Sequence, residues 1–174
     1  MKKLAFLALA LIILTGCEIQ IKKINLNEMD LGKMETGWGK VNINKSVDGN
    51  PLSINGEIYE TGVGTHAVSK MMIDLQGNGK RFYSLAGVDD ESGEWASIEF
   101  FILGDKKVLW QSGIMKKGDP AKEIDLDISG IQKLALFISD GGDNINYDHA
   151  DWINTYIEYL DITPKAVSER KPEA

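Results

Sequence analysis

The sequence predicts an all-β fold in which two sheets pack face to face as a sandwich. Apolar residues recur at every second position in short runs, which is the period of a half-buried strand. Glycine, asparagine and aspartate separate these runs, and the 18 glycines cluster in the predicted turns. No long segment has the helical period, and seven or eight short strands at this spacing are typical of a sandwich or a barrel.

The predicted strands follow one another from the middle of the chain towards its end. A turn at residues 76–79 separates the first two strands, and a turn at 104–107 joins the third to the fourth. Only residues 150–155 have a pattern that is compatible with a helical turn, so the crossover helices of an α/β fold are not expected. The predicted strands are residues 71–75, 82–88, 96–103, 108–110, 124–128, 134–138 and 156–160.

The N-terminus has the pattern of an export signal that ends at a lipidated cysteine. Lys2 and Lys3 precede an apolar run over residues 4–14, which is shorter than the about 20 residues that a spanning helix needs. The sequence LTGC at 14–17 resembles the bacterial lipobox, whose cysteine takes a diacylglycerol and becomes the mature N-terminus. Cys17 is the only cysteine and has no disulfide partner, which lipidation explains. The alternative is an ordinary secretory signal with an incidental cysteine.

These features divide the chain into four parts. Residues 1–16 are expected to be a lipoprotein signal peptide, and residues 17–25 a lipidated N-terminus and tether, where alternating isoleucines could equally form a first strand. Residues 26–163 form the sandwich, and the polar residues 164–174 form a disordered tail. The sequence thus predicts an exported, membrane-anchored lipoprotein of the bacterial cell envelope.

The charge of the chain argues against nucleic acid as a partner. There are 19 basic and 26 acidic residues, a formal charge of −7, and removal of Lys2 and Lys3 with the signal changes it to −9. Such a surface repels phosphate backbones, whereas nucleic-acid binders carry basic patches. Contact with a membrane is expected through the lipid anchor only.

Loops of the predicted sandwich combine tryptophan with histidine and acidic residues, which suits sugar recognition. An indole face packs on the C–H face of a pyranose, and planar polar side chains pair with its hydroxyls. The alternative is that the tryptophans are core residues and the acids are turn formers. The candidate carbohydrate-binding residues are Trp38 and Trp152 for stacking, His66, Asp90 and Glu91 for hydrogen bonds to hydroxyls, and Asp148 and His149 to complete or orient the pocket.

A glycine-rich acidic loop near the C-terminal strand is a candidate calcium site. Asp140, Asp143 and Asp148 offer the hard oxygen ligands that Ca²⁺ prefers, although their spacing is not that of an EF-hand. The alternative is a solvated acidic turn. Two histidines and one lipidated cysteine make a zinc site improbable, so structural calcium is the one metal expected.

Catalysis has less support than binding. A hydrolase with paired carboxylates needs them on facing walls of a cleft, whereas Asp89, Asp90 and Glu91 are consecutive and neighbours on an extended chain point opposite ways. Ser69 or Ser92 could be combined with a histidine, but no nucleophile-elbow motif is present. No catalytic residue is therefore assigned.

Six segments in order resemble the NPCBM family, the "novel putative carbohydrate-binding module" domains of bacterial glycoside hydrolases. The resemblance extends from about residue 31 to residue 159, nearly the whole predicted mature chain. One such segment would be weak evidence, whereas six in order are specific. The segments are residues 37–39, 46–52, 62–67, 87–91, Met115 with 118–119, and 140–143 continuing to 148–152.

The resemblance implies a jelly-roll β-sandwich, related to discoidin-like and malectin-like modules, that binds sugar in loops at one end and is not an enzyme. Characterised members recognise galactose-containing glycans, so a galactoside is the expected ligand. Two features depart from the family: Val68 stands where proline is usual, and this module is expected to stand alone behind a lipid anchor instead of beside a large catalytic domain. The alternatives are an envelope lipoprotein that uses the scaffold to bind a protein partner or as a structural part, and, ranked last, a small glycosidase.

Overall fold

The computed structural model describes residues 20–168 and confirms the all-β sandwich. All strand pairs are antiparallel, and they form two six-stranded sheets and a separate hairpin. Two 3₁₀ helices, Leu26–Glu28 and Leu31–Lys33, follow the first strand. The strands are β1 (Lys22–Asn25), β2 (Asn42–Ile43), β3 (Leu52–Ile54), β4 (Glu57–Tyr59), β5 (Gly62–His66), β6 (Ser69–Asp74), β7 (Gly79–Val88), β8 (Ser97–Gly104), β9 (Lys107–Gln111), β10 (Met115–Lys116), β11 (Lys122–Asp127), β12 (Lys133–Ser139), β13 (His149–Tyr159) and β14 (Lys165–Val167).

Strand β13 is the central element of the first sheet, whose order is β11-β7-β13-β5-β2. On one side it pairs with β7. On the other side its first half pairs with β5 and its second half with β1. The start of β13 therefore lies beside the ends of β5 and β7, and this end of the sheet gathers the histidines and acids that the sequence singled out.

The second sheet has the order β10-β8-β12-β6-β14, with β9 also paired to β8. Side chains of β6 and β8 alternate between buried and partly exposed, so one face of this sheet packs on the first sheet. Strands β3 and β4 form the separate hairpin. The predicted strands over residues 71–138 all match strands of the structure within a few residues.

Trp152 belongs to the core between the sheets. It lies on β13, is 1% exposed, and meets Phe100 of β8 edge to face with ring centroids 5.0 Å apart. Aromatic pairs favour this arrangement because the positive ring edge approaches the negative ring face. Trp152 is thus a core residue and not the sugar-stacking residue that the sequence suggested, because its side chain on β13 points into the space between the sheets.

Three segments differ from the sequence prediction. Residues 150–155 belong to β13 and form no helical turn; a register shift follows Ile153, and Asn154 has a φ of 50°. Within the predicted tether, Lys22–Asn25 form β1, as the alternating isoleucines allowed. Within the predicted disordered tail, Lys165–Val167 form β14 on β6. Edge pairing with an existing strand orders this polar segment, because the backbone groups of β6 offer partners whatever its side chains.

No helix within residues 20–168 is long and apolar enough to cross a membrane. The predicted signal peptide and Cys17 lie outside the described residues, as do residues 169–174 of the predicted tail.

Candidate functional site

A cavity of about 340 Å³ opens at the end of the sandwich where β5 ends and β13 begins. It is formed by the loops before β2 and β3 and by the segment that leads into β13. The residues that line it are Trp38, Asp48, His66, Ile145, Asn146, Tyr147 and His149. Three of the sequence-predicted residues, Trp38, His66 and His149, are therefore brought together.

The two histidines meet because they are partners in the β5–β13 ladder. His66 is the last residue of β5 and His149 the first of β13, and the register pairs them directly. Their imidazole rings lie edge to face with centroids 5.2 Å apart, and both side chains are buried. Sheet register, rather than sequence proximity, thus fixes the floor of the cavity.

Trp38 forms the exposed wall of the cavity. Its ring centroid lies 5.7 Å from that of His66 and 6.0 Å from that of His149, and 54% of the residue is exposed. The preceding Gly37 donates its N–H to the His66 carbonyl oxygen at 3.2 Å. A Cβ on Gly37 would stand 2.1 Å from the Ala67 carbonyl oxygen, so only glycine lets this loop approach β5 so closely.

Tyr147 provides a second aromatic wall that sequence reasoning did not assign. Its ring is nearly parallel to that of His149 (18°) at 6.4 Å, and the residue is 66% exposed. Its backbone has a φ of 61°, in the left-handed region that non-glycine residues seldom adopt. The surrounding segment must therefore hold Tyr147 in this conformation at a cost in free energy.

Glu91 lies behind His149 and holds it in place. One carboxylate oxygen is 3.2 Å from His149 Nδ1 and also accepts the Asp48 N–H at 3.2 Å, and the other accepts from Asn50 Nδ2 at 2.9 Å. Burial acts to raise the pKa of the Glu91 carboxyl, but the hydrogen bonds from Asn50 and its other neighbours outweigh burial and lower the pKa. Glu91 is thus an ionised anchor that accepts from His149 Nδ1–H.

His66 is held as a neutral imidazole of defined tautomer. Its Nδ1 is 2.6 Å from the Ala67 carbonyl oxygen, which can only accept, so Nδ1 carries the proton. Burial is the main cause that lowers the pKa of His66. The Nε2 atom is left as a hydrogen-bond acceptor, the group that a sugar hydroxyl requires. The peptide bond between Ala67 and Val68 is cis.

A buried pair of aspartates supports Glu91 from below. Asp89 accepts the N–H of Glu91 at 2.8 Å and that of Ser53 at 3.3 Å. Asp151 of β13 is fully buried beside Asp89, and burial raises its pKa well above the usual range, so the pair shares a proton. Sequence reasoning missed this role, because nothing in the chain indicates that residues 62 positions apart face one another.

Asp90 lies outside the cavity, although the sequence predicted a sugar contact. Its carboxylate accepts the Gly56 N–H at 2.8 Å and the Ser53 hydroxyl. It therefore ties the β3–β4 hairpin to the end of β7. The reason is local turn geometry: the Ser92 N–H donates to the Asp89 carbonyl oxygen at 2.9 Å, and Asp90 and Glu91, at the centre of this turn, point to different partners.

Asp148 is also outside the cavity and fully buried. Its Oδ1 accepts the Ser97 N–H at 3.1 Å, whereas its Oδ2 has no hydrogen-bond partner. Burial, followed by the charges of Asp143 and Asp140, raises the pKa of Asp148 to about 7.

The three aspartates of the predicted calcium site differ in what they contact. Asp140 accepts the Gly142 N–H at 3.0 Å, and Asp143 accepts the Ser97 hydroxyl at 3.0 Å. Among residues 20–168, the side chains whose possible metal-ligand atoms lie within 4.8 Å of one another are instead those of Asp48, Glu91 and His149. Calcium at Asp140, Asp143 and Asp148 stays a prediction, favoured by the unpartnered Oδ2 of Asp148.

Fold and cavity together define a β-sandwich module of the carbohydrate-binding type. Residues 22–158 match the NPCBM/NEW2 domain family, and the chain belongs to that family. The resemblance inferred from the six sequence segments is thus confirmed.

Three relatives illustrate the relationship. The CBM51 module of a GH95 protein from Clostridium perfringens, solved in complex with methyl-galactose, superimposes with a TM-score of 0.72 at 33% identity and covers 78% of this chain and 99% of that module. The CBM51-2 module with INT domains of ZmpB from the same organism, in complex with GlcNAc, has a TM-score of 0.73 at 23% identity over 80% of this chain and 32% of that one, which supports the fold alone. Alpha-1,3-galactosidase B of Akkermansia muciniphila is 35% identical over 136 residues, which are 76% of this chain and 17% of that enzyme.

Proposed function

We propose that this domain binds the terminal residue of a galactose-containing glycan in the cavity beside Trp38 and catalyses no reaction on it. The observation that carries the proposal is the half-exposed Trp38 ring standing over two buried imidazoles whose Nδ1 atoms are already engaged. The solved CBM51 module at 33% identity contains methyl-galactose, which supports this class of sugar.

The size and chemistry of the cavity suit one pyranose ring. Its volume of about 340 Å³ is at the small end of the about 300–1,000 Å³ that small-molecule pockets have. Trp38 offers a flat apolar face for the C–H groups of galactose, and His66 Nε2 accepts from a hydroxyl. Asp48 adds a carboxylate at the rim for a second hydroxyl.

The state of Glu91 favours binding over catalysis. A glycosidase needs a carboxylic acid whose raised pKa lets it donate a proton to the leaving oxygen. The pKa of Glu91 is lowered, and both its oxygens are occupied by Asn50, His149 and the Asp48 backbone. A panel of chromogenic galactosides tests this point, and turnover above the buffer rate would contradict it.

Calorimetric titration of the mature chain with methyl-galactoside tests the binding proposal. Wild type is expected to bind, and Trp38→Ala is expected to lose at least tenfold in affinity (about 1.4 kcal/mol) because it removes the stacking face. Val108→Ala is the matched control, since Val108 is equally exposed (53%) on β9. Unaltered affinity in Trp38→Ala would reject the assigned site, and no binding by wild type to any galactoside would reject the function.

We also propose that the mature protein is held on a bacterial membrane by a lipid on Cys17. The proposal rests on the lipobox-like LTGC sequence at residues 14–17 and on the absence of any other cysteine for pairing. Metabolic labelling with a radioactive fatty acid is expected to label wild type and not Cys17→Ala. Equal labelling of both proteins, or release of wild type into the soluble fraction, would contradict it.

A further inference from the structure

Trp95 is the most exposed large apolar residue of the described chain. It is 91% exposed, although an indole contributes more on burial than almost any other side chain. Tyr147 and Trp38, the two aromatic walls of the cavity, are exposed at 66% and 54%. Clustered exposed aromatic residues on a soluble domain mark a binding surface, whereas single ones need no explanation.

The loop that carries Trp95 is attached to the cavity wall. Ser92, which precedes it, donates its hydroxyl to the His149 carbonyl oxygen at 3.1 Å. Gly93 packs against Tyr147 so closely that an added Cβ would lie 3.0 Å from the Tyr147 Cβ. Trp95 is two residues further on, so its Cα is within about 7.6 Å of the Gly93 Cα. Trp95 therefore lies on the loop that packs against Tyr147, an aromatic wall of the cavity.

The same loop is held rigid on both sides of Trp95. The Ala96 N–H donates to the Gly93 carbonyl oxygen at 3.0 Å, which closes a turn with Glu94 and Trp95 at its centre. Glu94 pairs with Lys117 at 3.6 Å, and the N–H of Ser97 donates to buried Asp148. With the backbone of the turn fixed, only the two side-chain torsions of Trp95 have to be ordered when a ligand packs on the indole.

We propose that Trp95 is the stacking platform for the second sugar of the bound glycan. This rests on the proposed function: the terminal residue occupies the cavity beside Trp38, and the chain of the glycan continues over Tyr147 to Trp95. The ligand class is thus a neutral oligosaccharide of at least two pyranose residues. Asp48 at the cavity rim disfavours a negatively charged sugar on this path.

The test compares a monosaccharide with oligosaccharides on one set of variants. Calorimetric titrations use methyl-galactoside, lactose and N-acetyllactosamine with wild type, Trp95→Ala, Trp95→Tyr and the control Val108→Ala, all in the mature chain. Trp95→Ala is expected to fold normally because the side chain makes few contacts. Wild type is expected to bind at least one disaccharide about tenfold more tightly than methyl-galactoside. Trp95→Ala should abolish this preference while leaving the methyl-galactoside affinity within twofold, and Trp95→Tyr should retain most of it.

Several outcomes would overturn the inference. A wild-type protein that binds methyl-galactoside but prefers no disaccharide has no second subsite, and the proposed function then survives alone. If the Trp95→Ala variant keeps the full disaccharide affinity, Trp95 does not stack on the second sugar. Tight binding of a sialylated lactose would refute the neutral class. Absence of binding to every sugar by wild type rejects the proposed function, and the subsite with it.

Discussion

Replacement of Asp151 by asparagine tests how the buried aspartate pair supports the cavity. Asp151 is fully buried, its pKa is raised by burial and by Asp89, and both its oxygens lack another hydrogen-bond partner. Its proton is thus retained in the folded protein and donated to Asp89. Asparagine keeps a donor of similar shape and cannot ionise, so Asp151→Asn preserves the contact with Asp89 and removes the titration.

The sign and size of the effect follow from proton linkage. The unfolded state loses the Asp151 proton near pH 3.9, whereas the folded state keeps it to a higher pH. Between these two values the folded state binds one more proton, so this group's contribution to stability falls by about 1.4 kcal/mol for each unit of pH rise. The free energy of unfolding of Asp151→Asn should therefore rise relative to that of wild type as pH rises, by up to about 1.4 kcal/mol for each unit of pH.

Urea denaturation of both proteins from pH 4.5 to 8 measures this difference. Other titrating groups, such as Asp148, are common to both proteins and cancel in the comparison. Asp89→Asn is the contrasting control: Asp89 accepts two backbone N–H groups, so its loss should destabilise the protein across the whole range. Parallel stability curves for wild type and Asp151→Asn would show that Asp151 titrates alike in both states, and the shared proton would be refuted.

Three further substitutions separate folding from binding. Asp90→Ala should cost about 0.5–1.5 kcal/mol of stability, because the exposed Gly56 N–H loses its protein acceptor. The galactoside affinity of the folded protein should stay within twofold, and a binding loss above tenfold in calorimetry would show that Asp90 contacts the sugar. Trp152→Ala should cost about 3–5 kcal/mol in urea denaturation, since it removes the contact with Phe100, and a cost below 1 kcal/mol would contradict its core position. Calcium should raise the melting temperature of wild type but not of Asp148→Asn. If wild type melts at the same temperature with calcium and with chelator, the predicted calcium site is rejected.

Most strands that the sequence predicted alternate apolar and polar residues, as in β6 and β11, whereas the sequence of β12 predicts a continuous buried run. Strand β5 escaped prediction because it reads GVGTH, with a single large apolar side chain, yet all five of its residues are buried. Its glycines serve close backbone approach: a Cβ on Gly64 would lie 2.3 Å from the Lys45 carbonyl oxygen. Tertiary crowding of this kind overrides the local pattern, so no periodicity argument could find it.

The candidate site was predictable in its residue types and not in its geometry. Loop composition indicated Trp38, His66 and His149, which do meet at the cavity. Tyr147 and Asp48 lie in segments that the sequence had singled out, but only the fold shows that they line the cavity. Whether a residue of these segments lines the cavity depends on the direction of its side chain, which strand register and turn geometry determine.

The run Asp89-Asp90-Glu91 shows how much side-chain direction decides. Asp89 points into the core towards Asp151, Asp90 towards the β3–β4 hairpin, and Glu91 towards His149. Three acids in sequence could suggest the carboxylate pair of a hydrolase, yet one alone reaches the back of the cavity. That one is ionised and hydrogen-bonded to groups that keep it so. The run therefore positions the imidazole floor instead of supplying an acid and a base, and this division of roles is what the proposed non-catalytic binding requires.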